Sequence, residues 1–131
     1  MKIAVITDDG KTISQHFGRA LYYLVLTVED GQITQREMRE KLGHNQLSGE
    51  HHEEHSGVAH GMDAQSHDKH TQMASAIADC QVLLCGGMGM GAYQSMRALN
   101  IQPLVTDERE VDAAVTAYLN GTIVDRTDRL H

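Results

Sequence analysis

Gln81–Thr106 reads QVLLCGGMGMGAYQSMRALNIQPLVT, and its reading decides the fold. Gln81–Cys85 is a short apolar run that stops at a turn, the pattern of a buried strand. Gly86–Gly91 is the turn. Ala92, Met96 and Leu99 then recur at i, i+4 and i+7, one face of a helix. Asn100 can end that helix, and Ile101–Thr106 reads as a second strand. Pro103 removes a ladder donor, which puts this strand at an edge or beside a break in pairing. Strand, turn, helix and strand form an α/β unit with a parallel pair.

Outward from this unit, Thr71–Asp79 predicts a short helix with Met73, Ala76 and Ile77 on one face. Downstream, Val111, Ala114, Val115, Tyr118 and Leu119 predict a further amphipathic helix, and Gly121 suits its C-terminal cap. A polar tail begins at about Asp125. At the other end, Met1–Thr7 contains the apolar run Ile3–Ile6, as in a strand covered on both faces. Leu21–Val28 is rich in aromatic and branched residues and reads as the strongest strand. Asp30-Gly31 follows, and both residue types tolerate positive φ, so Gln32–Met38 can return as a hairpin partner. The order β-β-β-α-β-α-β-α predicts one mixed sheet with helices packed on it, in a single α/β domain spanning residues 1–131.

Composition narrows the function. The chain has 11 basic and 18 acidic residues and a net charge of −7. That balance argues against a nucleic-acid partner, because phosphate neutralisation needs clustered Lys and Arg. No apolar run approaches the ~18 residues of a membrane span, and the early run is too short for a signal segment. Two cysteines make no disulfide framework, so the expected setting is reduced and cytoplasmic.

Seven of the nine histidines fall between His44 and His70. Apolar periodicity vanishes from about 43 to 70, and five acids accompany the histidines. This stretch reads as an insertion between two halves. On a helix His51 and His55 share a face at a chelating spacing, and His52, His60, His67 and His70 are further candidate ligands. Such a tract takes zinc, nickel or copper. The alternative is a solvated acidic loop.

Two segments outside the insertion carry chemistry. Cys85-Gly86-Gly87-Met88-Gly89-Met90-Gly91-Ala92 joins a strand to a helix. Backbone N–H groups at a helix start have no internal acceptor, and glycine lets an anion reach them. A tight, closely packed turn explains the same glycines. So does a dinucleotide fingerprint, Gly87-x-Gly89-x-x-Ala92, with Asp107 twenty residues on as a ribose ligand. Ser14-Gln15-His16-Phe17-Gly18-Arg19-Ala20 lies between the first two strands. His16 is a metal ligand or a hydrogen-bonded loop histidine, and Arg19 is a fixed cation. Cys80 and Cys85 are five residues apart, which along a strand is ~16 Å and opposite faces. Cys80 is therefore read as structural.

MKIAVITDDG, SQHFGRA and LLCGGMGMGAYQSMRALNIQPLVTD together resemble the dinitrogenase iron-molybdenum cofactor biosynthesis family. The resemblance spans about residues 1–40 and 71–122 and leaves the insertion out. It implies a ribonuclease-H-like fold. It also implies non-enzymatic binding or carriage of an anionic metal–sulfur cluster containing iron or molybdenum, with an apo-metalloprotein as recipient. His16 would be the nitrogen ligand and Arg19 would balance charge. Cys85 would supply thiolate or else be a small buried hydrophobe, and the turn of Gly86, Gly87, Gly89 and Gly91 would receive sulfides. Nuclease chemistry is not expected, since it needs several carboxylates converging on two metal ions. Two other readings stand beside this one: a metal-ion sensor or store working through residues 44–70, and a nucleotide-binding module using the glycine turn.

Overall fold

The structure is a computed structural model that describes residues 1–41 and 72–130. The histidine-rich insertion and its six candidate ligands lie outside the described residues.

Five strands form one mixed sheet in the order β3-β2-β1-β4-β5. Strand β1 is Lys2–Thr7, β2 is Tyr22–Glu29, β3 is Gln32–Glu40, β4 is Val82–Cys85 and β5 is Gln102–Val105. The first three make the expected antiparallel meander, and β4 and β5 join it in parallel. Asp30 and Gly31 both have positive φ, 55° and 77°, as the two-residue hairpin requires. Pro103 sits in β5, which is an edge strand, so its missing donor faces no partner strand.

Helix α1 is Met90–Ala98 and helix α2 is Val111–Asn120. They cover opposite faces. Ala92 and Met96 of α1 join Ala4, Ile6, Tyr23, Leu83, Cys85 and Val105. Val111, Ala114 and Val115 of α2 join Ile3, Val5, Leu24, Leu84 and Leu104. Residues adjacent in a strand thus enter different cores, which is why β1 and β4 are continuously apolar.

Three expectations need correction and one is extended. Leu99 does not face the core. It caps α1 and is 38% exposed, because Asn100 turns left-handed (φ 64°) and ends the helix there. Within the span expected as a helix over Thr71–Asp79, the described residues form a single helical turn at 72–75 followed by hydrogen-bonded turns, and Ala74 fills the fully buried place given to Ala76. Cys80 and Cys85 do not lie on opposite sides: both belong to the α1-side core. Strand alternation starts only at Val82, and the preceding bend turns Cys80 back under the sheet. Finally, the polar tail is docked. Asp125 Oδ1 accepts the Val105 N–H at 3.0 Å, the Arg126 N–H donates to the Val105 carbonyl at 2.7 Å, and Leu130 pairs with Met88. Edge strand β5 is thereby covered.

Candidate functional site

The site forms where β1 and β4 end side by side. After β1, Asp9 accepts the N–H groups of Lys11 and Thr12, each at 2.8 Å. These bonds favour the carboxylate and hold its pKa down at about 2. The turn returns the chain alongside the end of β1, where the Ser14 N–H donates to the Ile6 carbonyl at 2.9 Å.

Ser14–Phe17 then zips onto the glycine turn. The Gly86 N–H donates to the Ser14 carbonyl, and the Phe17 N–H donates to the Gly87 carbonyl, both at 3.0 Å. A Cβ on Gly86 would meet the Gln15 amide at 2.7 Å, and one on Gly87 would meet the Gln15 carbonyl oxygen at 2.8 Å. Gly87 is therefore required by the chain's own backbone lying against it, while Gly86 is crowded chiefly by the Gln15 side chain. The two segments singled out from the sequence are one structural unit.

Phe17 is the anchor of that unit. It is buried, lies 6.3 Å from the Tyr23 ring, and its carbonyl accepts a bond from the Lys41 ammonium. The same ammonium stands 4.3 Å from the centre of the Phe17 ring. Lys41 is only 3% exposed, and burial lowers its pKa to about 8 against a smaller opposing pull from Asp8. Beyond Phe17, the His16 carbonyl accepts the N–H groups of Arg19 and Ala20. This tight turn presents His16, Gly18 and Arg19 to solvent. Among the described residues neither the His16 ring nor the Arg19 guanidinium has a hydrogen-bonding or ionic partner.

On the other side, Gly89 is the N-terminal cap of α1, with φ −81° and ψ 160°. No side chain caps the helix, and no acid lies in its first turn. The opening N–H groups at Met90, Gly91 and Ala92 thus lack helical acceptors and carry partial positive charge. Gly91 belongs to the helix rather than to the turn.

Cys85 departs from its expected role as a donor. It is fully buried, its sulfur lies 3.7 Å from the Leu104 carbonyl, and burial pushes its pKa up to about 12. The neutral thiol packs as a small hydrophobe. Asp107 departs too. Its carboxylate is shared by Arg126, at 2.5 Å, and Arg129. It is thus engaged as a tail anchor rather than left open to a ribose. Arg129 also reaches the Gly86 carbonyl at 3.5 Å.

Sequence reading missed Lys41, Gln15 and Arg129. Only Lys41 left a signal: it is a cation directly after β3, where its N–H donates to the carbonyl of Leu21, the residue before β2. Among the described residues no three His, Cys, Asp or Glu side chains gather as a metal site. No helix among them is long and apolar enough to cross a membrane.

Known proteins share this architecture. An uncharacterized protein of Methanocaldococcus jannaschii is 26% identical over 125 residues, covering 94% of this chain and 89% of that one. The apo form of the orange protein from Desulfovibrio gigas superposes with a TM-score of 0.64 at 23% identity, over 95% of this chain and 91% of the other. A further M. jannaschii crystal structure, carrying a provisional dinitrogenase label, superposes with a TM-score of 0.62 at 14% identity, over 95% and 92%. At those identities the two structures establish a common fold. The family described as dinitrogenase iron-molybdenum cofactor matches residues 1–121, which include both the His16 turn and the glycine turn. The chain belongs to the dinitrogenase iron-molybdenum cofactor family.

Proposed function

We propose that this protein binds and carries an anionic metal–sulfur cluster at the mouth between the His16–Arg19 turn and the start of α1. The observation that carries this reading is the joined geometry of the two segments. An uncapped, acid-free helix start follows a turn joined to the loop that carries an imidazole and a guanidinium with no partner among the described residues, in a chain whose net charge is −7. A negative cluster needs converging positive dipoles and a soft donor rather than a basic surface. His16 supplies the donor, Arg19 the charge, and the α1 N–H groups the hydrogen bonds to sulfide. Family membership supports cluster chemistry. Iron or molybdenum is the proposed metal, an apo-metalloprotein is the proposed recipient, and the role is carriage rather than catalysis.

The test is elemental analysis with a visible spectrum on untagged protein purified without oxygen. Iron or molybdenum with sulfide, and charge-transfer bands lost in His16→Ala, support the proposal. Colourless protein holding only zinc or nickel refutes it.

A second reading rests on the histidine tract: an ion sensor or store using His51, His52, His55, His60, His67 and His70. Deleting residues 44–70 should then remove the metal while His16→Ala spares it. Histidine-held metal should also be released as pH falls through about 6, since the free imidazole titrates near 6.5.

A further inference from the structure

Gly86 and Gly87 are consecutive, so the peptide between them can rotate at little steric cost. In a trans peptide the C=O and N–H point in opposite directions, and fixing one fixes the other. Two attachments hold this stretch. The His16 loop takes the Gly86 N–H and the Gly87 carbonyl. The remaining outward group, the Gly86 carbonyl, is met by the Arg129 guanidinium at 3.5 Å.

The tail brings that guanidinium into place through several contacts. Asp107 binds Arg129 and Arg126 together, the Arg126 side chain also holds Asp128 at 3.2 Å, and Leu130 pairs with Met88 two residues before α1 begins. A segment remote in sequence thus braces the glycine turn at a carbonyl that the His16 loop does not take. Its partner carboxylate keeps Arg129 from being a free anion ligand.

We propose that Arg129 is a positioning residue for the site: by holding the Gly86 carbonyl, it fixes the Gly86–Gly87 peptide and hence the aim of the first N–H groups of α1. This rests on the cluster-carrier reading above. Arg129 acts through the backbone and does not touch the cargo.

The test uses the full chain, tetrathiomolybdate as the anionic metal–sulfur probe, and amide hydrogen exchange at Gly86 to Ala92. Arg129→Gln should speed exchange there and weaken tetrathiomolybdate binding about tenfold, the scale of losing one bond from a charged donor. Arg129→Lys keeps a cation for Asp107 but loses the fork, so it should show the same weakening at an unchanged melting temperature. Asp107→Asn should weaken binding as well, because it releases the arginine from its post. Tighter binding in Asp107→Asn would mean the guanidinium meets the anion directly and would overturn the proposal. So would wild-type affinity in Arg129→Lys, or unchanged exchange in Arg129→Gln. If the wild type binds no tetrathiomolybdate, the carrier reading fails, while the exchange rates still decide whether Arg129 positions the turn.

Discussion

The α2 side of the sheet packs Ile3, Val5, Leu24, Leu26, Val28, Val82, Leu84 and Leu104, all aliphatic. The α1 side packs Phe17, Tyr23, Met73, Met88, Met96, Cys80 and Cys85. Among the described residues the buried members of the first core are all aliphatic, and its one tyrosine, Tyr118, is only partly buried against it. The second contains rings, sulfur and groups that must be satisfied: the buried Tyr23 hydroxyl donates to the Met73 carbonyl at 2.7 Å. Tyr23, Cys80 and Cys85, whose ionisation burial opposes, lie in this second core, and Lys41 touches it through Phe17. The glycine turn, the His16 loop and the tail all converge on it. The aliphatic side is a platform, and the side with polar and polarisable groups holds loops in place.

The strongest way to break this contrast is Leu84→Ala in the aliphatic core. It should cost about 3 kcal/mol in urea unfolding. Tetrathiomolybdate affinity per folded molecule should not change, and a loss would show that the platform also shapes the site. Gly87→Ala should cost less, about 2 kcal/mol, by forcing its Cβ against the Gln15 carbonyl. Here binding should be lost along with stability, because the His16 loop must separate from the turn. Wild-type binding in Gly87→Ala would uncouple the two segments.

Alkaline pH sharpens the comparison. Burial raises both folded thiols from 9.0 to about 12. Their contribution is complete below the unfolded value near 9 and is lost as pH rises towards 12. Lys41 runs the other way: its folded value, about 8, lies below the unfolded 10.5, so it adds stability as pH rises between them. Two thiols outweigh one amine, so urea midpoints should rise from about pH 8 to 9 and fall above it. Cys80→Ala with Cys85→Ala should remove the fall between pH 9 and 10 and leave only the loss that the buried Tyr23 hydroxyl causes at higher pH, and Lys41→Met should remove the rise. The smallest effect belongs to Arg36→Ala. Its pair with Asp112 at 2.9 Å links β3 to α2, but both side chains are exposed, so the loss should stay below about 1 kcal/mol.

Much of the fold was legible because its signals are local. The continuous apolar run of β1, the Asp30-Gly31 hairpin and the left-handed Gly121 after α2 each depend on a few neighbouring residues. The site was half legible. Residue types marked His16, Arg19 and the glycines, and the structure joins the segments that hold them. Cys85 stayed between two readings because a cysteine looks the same in sequence whether its sulfur faces a ligand or a core. The docking of the polar tail was not legible because the partners of Asp125, Arg126 and Arg129 lie on β5, after it and in the glycine turn.

The sequence by itself determined the five strands, helices α1 and α2, and the family, but not the helix expected over Thr71–Asp79. Hydrophobic period and turn chemistry are properties of adjacent residues, and the motifs are contiguous. Only the tertiary structure decided why Gly86 and Gly87 are glycines, since Gln15 comes to rest on them from seventy positions away. Only it put Lys41 against Phe17, drew Asp107 into the tail's arginines and turned Cys85 inward. Each of these is a contact between distant segments. It is set by how β1, β4 and β5 align, and no spacing within one segment encodes it.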